Sequence, residues 1–256
     1  MLFRSKWSLA EFLKDKGVPH PITVKYSSGV AASILEGLQY PVIIKPIDKG
    51  NAQGIETFDQ PEALKSFFEN QKLKHEYIIQ PLIDGYDIDC SVLCMEGRIV
   101  TYTIQKAIVA SKVRFRAAVG IEFLYDERVL KVVEKMMNIL NWSGVAHIDL
   151  RYDAGADEIK VIEVNARYWG SLMGSFNAGI NFPVLAIKAR LGEVVPKIAY
   201  KFSRYFQGDL PIRLIMKGLF RSEKQKVRLR ETNLYYTIKD PLPVLLEKVR
   251  NIKTRF

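Results

Sequence analysis

Two segments of this chain carry oxygen-bearing side chains at a spacing that could bind a hard metal ion. Residues 161–165 alternate as in a strand, which places Glu163 and Asn165 on the same face. Asp149 lies in the segment just upstream, which also has the pattern of a strand. Two carboxylates beside an amide oxygen are ligands suited to Mg²⁺ that carries nucleotide phosphates. Arg167 follows, and its planar guanidinium could bind a phosphoryl or carboxylate oxygen.

These side chains converge only if the two segments form a hairpin. The turn-rich sequence Asp-Ala-Gly-Ala-Asp between them favours this arrangement. With a loop at residues 154–158, Asp149 lies opposite Glu163 on the polar face, and Ile162 and Val164 take the other face. The alternative is an ordinary antiparallel hairpin with one water-facing side, which many sheets show. The hairpin alone does not distinguish the two interpretations.

The composition restricts the class of protein. The 256 residues, 48% of them hydrophobic, are enough to build one large or two small domains. No apolar run approaches the roughly 18 residues of a membrane span, and the first residues do not have the pattern of a signal peptide. Cys90 and Cys94 are expected to be two buried thiols of a cytoplasmic protein. A zinc site is not expected, because the three histidines are scattered and no CxxC motif is present.

The excess positive charge is confined to the C-terminal part of the chain. Residues 197–256 contain 15 Lys and Arg against 5 Asp and Glu, whereas the first 196 residues contain 23 of each. An interaction driven by net charge would therefore have to use this segment. Nucleic acid is not expected as the partner, since aromatic residues are not regularly interleaved with the cations.

The order of helices and strands favours an α+β or mixed α/β fold over an all-parallel sheet. The two element types alternate, and several strands are joined as hairpins. Ser8 is expected to cap a first helix that stops at Gly17. Further helices are predicted at residues 30–38, 61–70, 126–140 and 183–191, and strands at 22–26, 41–46, 55–58, 76–82, 87–95, 98–105, 146–152 and 161–165.

A lysine and a small-residue loop form a second candidate site. Lys45 ends an apolar strand, and the loop at residues 47–54 follows directly. Gly50 and Gly54 would let backbone N–H groups approach an anion, and the lysine would add a positive charge for its phosphate. The alternative is a lysine that extends from a strand end into solvent.

A third candidate site lies after the next strand. Residues 80–82 could bind an adenine through backbone groups and a side-chain amide, and Asp87 could accept hydrogen bonds from ribose hydroxyls. The alternative here is a strand followed by a turn.

Taken in chain order, five motifs of this sequence resemble the ATP-grasp superfamily. The resemblance covers residues 6–195, and the motif around Glu163 is the most specific because it is close to the family's E-[IV]-N-P-R. The five motifs are Lys6 before a helix, Pro-Val-Ile-Ile-Lys-Pro at 41–46, Gln-Pro-Leu-Ile-Asp-Gly-Tyr-Asp at 80–87, Ala-His-Ile-Asp at 146–149 and Val-Ile-Glu-Val-Asn-Ala-Arg at 161–167.

The resemblance implies a role for each candidate residue. Arg167 would stabilise the transferring phosphoryl group or the acceptor carboxylate, and Lys45 would complete the catalytic pair. ATP would be bound by Lys6 and Lys45 at the phosphates, by Gly50, Asn51, Gln53 and Gly54 in a mobile loop, by Gln80 and Leu82 at the adenine and by Asp87 at the ribose. Mg²⁺ (or Mn²⁺) would be bound by Asp149, Glu163 and Asn165.

The fold implied by the resemblance is an α+β ATP-grasp fold, in which two α/β subdomains clasp the nucleotide between antiparallel sheets. The expected organisation is a lead-in helix and strand at residues 1–26, a small subdomain at 27–85, a large subdomain at 86–196 and a basic helical extension at 197–256. The family usually has a further domain before the motif of Lys6. We therefore expect one of three situations: an N-terminal domain is missing from this chain, the chain is a naturally short member, or a partner chain supplies this part.

The activity implied by the resemblance is an ATP- and Mg²⁺-dependent ligase reaction on small molecules. A carboxylate becomes an acyl phosphate, which an amine or thiol then attacks. The candidate residues agree with this chemistry, because it needs charge neutralised on both reacting groups rather than an acid–base residue. Two alternatives are a small-molecule kinase and a nucleotide-binding or interaction module without turnover; the intact set of Asp149, Glu163, Asn165 and Arg167 argues against the second.

The sequence departs from the family pattern at several positions. Gln80 stands where many members have glutamate, and Ala166 replaces the proline of the last motif. His147 occupies a position at which some ligases of the D-alanine type carry arginine, so no substrate role carries over to it. Residues 112–116 and the loop after Trp169 are the candidate substrate contacts.

The basic extension contains two amphipathic patterns. Both stripes could pack on the core and leave their cations solvated. Alternatively, they could form a basic surface that docks on an anionic membrane face, an acidic polymer or an acidic partner. The first pattern is Ile212, Ile215, Met216, Leu219 and Phe220, and the second runs from Pro241 through Leu245, Val249 and Ile252.

Overall fold

The computed structural model describes residues 5–27, 33–50, 52–70, 76–196, 198–207, 227–243 and 246. Its strands form two sheets in which every neighbouring pair is antiparallel. The smaller sheet has the order β1-β4-β2-β3 and the larger one β10-β7-β6-β5-β8-β9. These strands are β1 (Val24–Tyr26), β2 (Val42–Pro46), β3 (Glu56–Phe58), β4 (Tyr77–Pro81), β5 (Gly85–Met95), β6 (Arg98–Val109), β7 (Gly120–Leu124), β8 (Gly144–Asp153), β9 (Glu158–Asn165) and β10 (Arg204–Phe206).

Seven α-helices and one 3₁₀ turn accompany these sheets in the described ranges. The helices are α1 (Lys6–Asp15), α2 (Ser33–Glu36), α3 (Pro61–Asn70), α4 (Glu127–Ile139), α5 (Leu172–Asn177), α6 (Phe182–Arg190) and α7 (Asn233–Lys239), and the 3₁₀ turn is Leu229–Glu231. None of the helices in the described part of the chain has the length and hydropathy needed to span a membrane.

The first helix begins earlier than its sequence predicts. Ser5, not Ser8, is the N-cap, because the Ser5 side chain accepts a hydrogen bond from the Ser8 backbone N–H at 3.2 Å. Lys6 therefore lies in the first turn of α1 rather than before it. The helix stops before Gly17, as predicted, where the backbone takes a φ of +58° that favours glycine.

One face of the larger sheet carries the main core. Helices α1 and α4 cover it, with Leu13 of α1 and Val133 of α4 among its buried residues. The buried residues of α4 recur at helical spacing, and Asp126 caps this helix by accepting from the N–H groups of Arg128 and Val129. Cys90 and Cys94 are free thiols buried in this core, which confirms their predicted burial. The smaller sheet packs separately against α3.

The opposite face of the larger sheet is divided into two parts. Near one end Leu93 packs beneath Trp169, Phe182 and Leu185, so that the loop after β9 and α6 cover this end. Towards the other end the same face carries polar side chains that point towards the smaller sheet. This polar area contains the candidate site.

The predicted division at residue 197 does not match the sheet. β10 lies within the predicted extension, yet it pairs with β7, and Tyr205 is buried beside Phe123. The predicted lead-in is also divided, since α1 packs on the larger sheet and β1 pairs with β4 of the smaller one. The first amphipathic pattern of the tail and most of the second lie outside the described residues.

Candidate active site

A row of four polar residues crosses the larger sheet from β6 to β9. Gln105 pairs with Asp89, Asp89 with Asp149 and Asp149 with Glu163, each at directly opposite positions. The predicted pairing of Asp149 with Glu163 is thus present. Because directly opposite residues project from the same face of a sheet, three carboxylates lie side by side.

A second polar row lies beside the first. Thr103 pairs with Ser91, Ser91 with His147, and His147 with Asn165. The Asn165 amide donates to Asp149 Oδ2 at 3.2 Å, which links the two rows. Asp149, Glu163 and Asn165, the three metal ligands expected from the sequence, are therefore neighbours on one face.

A β-bulge interrupts β9 at this point. The register shifts between Asp149 and Leu150, which pairs with Val161. Val161 and Val164 are both buried in the core, whereas Ile162 is only partly buried and is the extra residue of the bulge. The strict alternation predicted for Ile162 and Val164 is therefore wrong.

The carboxylates of this row lie close together and are partly buried. Burial raises the pKa of Asp89 to about 7. Burial, together with the neighbouring carboxylates of Asp89 and Glu163, raises the pKa of Asp149 well above its usual value. Such a set of like charges is stabilised by a cation, and its hard oxygen donors fit Mg²⁺.

Arg167 extends the network beyond the end of β9. Its Nη2 donates to Asn165 Oδ1 at 3.1 Å and its Nη1 to the carbonyl of Tyr168, also at 3.1 Å. The Arg167 side chain is exposed, so part of the guanidinium remains accessible to a ligand. Its predicted position beside the oxygen set agrees with the structure.

Lys45 faces this site from the smaller sheet. Its Nζ donates to Gln80 Oε1 at 2.9 Å, and the Gln80 amide donates to Thr23 Oγ1 at 2.8 Å. Burial first, and then the charge of Lys6, lower the pKa of Lys45 to about 8, while Glu163 acts in the opposite direction. Lys45 is thus a partly buried cation between the two sheets rather than a lysine that extends into solvent.

The loop between β2 and β3 follows Lys45 in the sequence, and α1 contacts this loop at one point. The Lys6 ammonium donates to the Lys49 carbonyl. Gly54 has a φ of +69°, and a Cβ there would lie 2.9 Å from Pro46 Cγ. Gly50, Gln53 and Gly54 are exposed on this loop, whereas Asn51 lies outside the described residues.

The predicted adenine and ribose contacts have partners within the protein. The Leu82 N–H donates to the Pro41 carbonyl at 2.8 Å. Arg151 Nη1 contacts Asp87 Oδ1 at 2.5 Å, and the same guanidinium donates to the carbonyls of Ile83 and Gly85. Arg151 therefore fixes the connection between the two sheets, directly beside the residue predicted to bind ribose.

Several site residues were not identified from the sequence. Asp89, Gln105 and Ser91 come from β5 and β6, and Arg151 from β8. The alternation of Asp87, Asp89 and Ser91 along β5 indicates that these side chains share one face. Which of them lies opposite Asp149 depends on the register between the strands. Arg114, in one of the predicted substrate segments, donates to Thr57 Oγ1 of β3 at 2.9 Å and so bridges the two sheets.

Comparison with known proteins defines the class to which this fold and site belong. The family model described as the ATP-grasp domain matches residues 3–171 of the chain. The chain belongs to the ATP-grasp domain family, which confirms the resemblance and the α+β fold expected from the sequence.

The curated relatives share only low sequence identity with this chain. A D-alanine–D-alanine ligase of Anaplasma marginale (strain Florida) is 24% identical over 164 residues, which cover 60% of this chain and 48% of the ligase. The ligase of the same name from Buchnera aphidicola is 25% identical over 181 residues, covering 64% and 58% of the two chains. The chain thus spans about half the length of the curated relatives it matches.

Solved structures show the same fold. The N5-carboxyaminoimidazole synthetase of Staphylococcus aureus in complex with ADP has a TM-score of 0.65 at 17% identity, covering 78% of this chain and 54% of that one. An L-amino acid ligase from Bacillus licheniformis has a TM-score of 0.55 at 23% identity, covering 76% and 51%. At these identities the likeness concerns the fold.

Proposed function

We propose that this chain carries the active site of an ATP- and Mg²⁺-dependent ligase that joins a small-molecule carboxylate to an amine or thiol. The observation that supports this most directly is the placement of Lys45 on one sheet and of Asp149, Glu163 and Asn165 on the other, with the charge of Glu163 close enough to act on Lys45. A nucleoside triphosphate bound with its metal ion requires cations for the phosphates and hard oxygen donors for the metal. Here the two sets of groups lie on facing sheets.

Each group has a part in this proposal. Asp149, Glu163 and Asn165 would hold the Mg²⁺, which would supply positive charge to the phosphates. Lys45 and Lys6 bind phosphate oxygens under the β2–β3 loop. Gln80 and residues near Leu82 contact the adenine, and Asp87 contacts the ribose.

The proposed reaction has two steps. A carboxylate oxygen of the substrate attacks the γ-phosphorus of ATP, and ADP leaves to give an acyl phosphate. The amine or thiol then attacks the acyl carbon, and inorganic phosphate leaves with the bonding electron pair. Arg167 would stabilise the charge that develops on the phosphoryl group, so the protein would act mainly by positioning and electrostatics.

The names of the relatives support this class of reaction. The curated matches are named D-alanine–D-alanine ligases, and matching structures are named an L-amino acid ligase and an N5-carboxyaminoimidazole synthetase. One of these structures is a complex with ADP. We infer from this that the acceptor and donor are small molecules. His147 stands where some ligases of the D-alanine type carry arginine, so the identity of the acid has to be found by experiment.

The test is nucleotide turnover by the purified chain against panels of acids and amines. A ligase releases both ADP and inorganic phosphate, and only when acid and amine are both present. Release of ADP without free phosphate, with a single acceptor, would instead identify a kinase. If neither product forms although ATP binds, the ligase proposal fails and the chain is a nucleotide-binding module under these conditions. Glu163→Gln serves as the inactive control.

A further inference from the structure

The imidazole of His147 is directed at two carboxylates of the polar row. Its Nε2 lies 3.2 Å from Asp149 Oδ1 and 3.9 Å from Asp89 Oδ2. One donor atom from each of these three residues lies within 4.8 Å of the other two. Donor atoms that share one ion, at bond lengths of about 2.1 Å, are separated by roughly 3 to 4 Å. The three side chains are thus arranged as ligands of a single metal ion.

The other side of the imidazole ring is held as in a protein metal site. Nδ1 lies 2.9 Å from Ser91 Oγ, and both residues are buried. The ring stacks on Trp169 with a centroid distance of 5.5 Å and an interplanar angle of 14°. Histidine ligands of metals are usually oriented by a hydrogen bond from the second ring nitrogen, which fixes the tautomer and directs the free lone pair at the ion.

The hydrogen bond to Ser91 also bears on which nitrogen can act as a ligand. In the tautomer that donates Nδ1–H to Ser91 Oγ, Nε2 has a free lone pair that faces the carboxylate oxygens of Asp89 and Asp149. Three acceptor atoms then face one another, an arrangement that a cation between them stabilises.

We propose that Asp89, His147 and Asp149 bind a first-row transition-metal ion directly, without nucleotide, and prefer such an ion to Mg²⁺. The site shares Asp149 with the proposed Mg²⁺ ligands but adds a nitrogen ligand and a carboxylate from β5. Imidazole nitrogen favours transition ions, whereas Mg²⁺ prefers oxygen ligands alone. The inference does not depend on the ligase reaction, because it concerns metal bound in the absence of ATP.

The experiment uses Mn²⁺ as a paramagnetic probe on the full chain without nucleotide. Electron spin echo modulation detects a ¹⁴N nucleus bonded to Mn²⁺. The chain has three histidines, so the double variant His20→Gln/His75→Gln keeps His147 alone. We expect ¹⁴N modulation in the wild type and in this double variant, and its loss in His147→Gln. Growth with ¹⁵N-labelled histidine should change the modulation frequencies in the unaltered protein.

Two affinity measurements complete the test. Zn²⁺ should displace the Mn²⁺ at concentrations at least about tenfold below those of Mg²⁺. Ser91→Ala should keep the ¹⁴N signal but weaken Mn²⁺ binding by about 10- to 100-fold, the usual effect of removing the partner that orients a ligand. Circular dichroism checks that both variants at this row are folded.

The proposal is wrong if Mn²⁺ bound to the double variant shows no ¹⁴N modulation. It is also wrong if Mg²⁺ displaces Mn²⁺ as readily as Zn²⁺ does, because the site would then behave as oxygen ligands only. In that case the other tautomer of His147, which donates Nε2–H to Asp149, would explain why these two side chains lie so close together. Either result leaves the ligase proposal standing, since that is decided by ADP and phosphate release.

Discussion

Glu163 lies opposite Asp149 and projects from the polar face of the larger sheet, where it is only partly buried. Glu163→Gln keeps the size of the side chain but removes one negative charge from the proposed metal site. We expect Mg²⁺-dependent turnover to fall by about 10²- to 10³-fold with the fold unchanged. Steady-state release of ADP and circular dichroism measure the two effects. Wild-type turnover in this variant would exclude Glu163 from the site.

Lys45 is the partly buried cation that the smaller sheet directs at the site. Replacing it by methionine removes a charge-assisted hydrogen bond to phosphate, which is worth about 1.5 to 3 kcal/mol. We expect ATP binding, measured by calorimetry, to weaken by about 10- to 100-fold. Lys25→Met is the matched control, because Lys25 lies on the same sheet and pairs with Glu76 at the surface. Equal affinities in the two variants would contradict the assignment.

The lowered pKa of Lys45 also predicts a pH dependence. The folded, ligand-free protein holds this ammonium with a pKa of about 8, below the ordinary value of 10.5. Between pH 8 and pH 10.5 Lys45 is protonated in the unfolded chain but mostly neutral in the folded protein. Its contribution to the free energy of unfolding therefore rises with pH in this range, and below pH 8 the contribution is unfavourable. ATP needs the protonated form, so its affinity should fall above pH 8 by up to about tenfold per unit. In Lys45→Met this decline should disappear.

Gly85 begins β5 immediately after the connection from the smaller sheet. Its φ is +148°, and a Cβ built there would lie 1.9 Å from the Tyr152 carbonyl oxygen. We expect Gly85→Ala to reduce the free energy of unfolding by about 2 to 4 kcal/mol in urea titrations, because either the backbone of β8 or that of β5 must move. Gly155→Ala is the control. Its nearest contact would be an ordinary 3.4 Å, so a change within about 0.5 kcal/mol is expected.

The elements that the sequence predicted well are those with a strong local signal. The helix at 61–70 is observed at Pro61–Asn70, and the strand–turn–strand pattern at 149–163 gave the pairing of Asp149 with Glu163. β7, α5 and β10 were not predicted. They are three to six residues long, and pairing or packing with distant parts of the chain stabilises them, so no local period marks them.

The site could be predicted only where its residues share one hairpin. Asp149, Glu163 and Asn165 were identified because alternation along two adjacent strands fixes their common face. Asp89 joins them through a strand more than fifty residues upstream, and its place depends on the register of β5 against β8. The bulge in β9 carries no glycine or proline that would have marked it, so it was visible only in the structure.

At the scale of the whole molecule, the two sheets meet through a few side chains. Lys45 reaches the space between them from the smaller sheet and the polar rows from the larger one, while Lys6 of α1, which packs on the larger sheet, contacts the β2–β3 loop. The bridge from Arg114 to Thr57 and the clamp of Arg151 on the connecting segment also join the two halves. These contacts connect the smaller sheet to the larger one beside the loops that leave each of them.

The uneven charge of the molecule gives the last prediction. Residues 197–256 carry the whole net charge of +10, and each cation near an anionic membrane contributes about 1 kcal/mol of attraction. If this segment docks on such a surface, the full chain should sediment with phosphatidylserine vesicles at low salt and less so at physiological salt. Neutralising four cations near the C-terminus should then release it. This variant replaces Lys248, Arg250, Lys253 and Arg255 with glutamine.

A matched variant separates docking by this segment from attraction by net charge alone. This variant replaces four exposed lysines of residues 1–196 with glutamine, which changes the total charge by the same amount. If the C-terminal segment itself docks, this variant should still bind the vesicles. The four lysines are Lys14, Lys16, Lys65 and Lys131. Deleting residues from 197 onward would be a poorer test, because it removes β10 from the larger sheet. If the full chain stays in the supernatant at low salt, or if both variants lose binding equally, membrane docking by the tail is wrong and its cations are solvated.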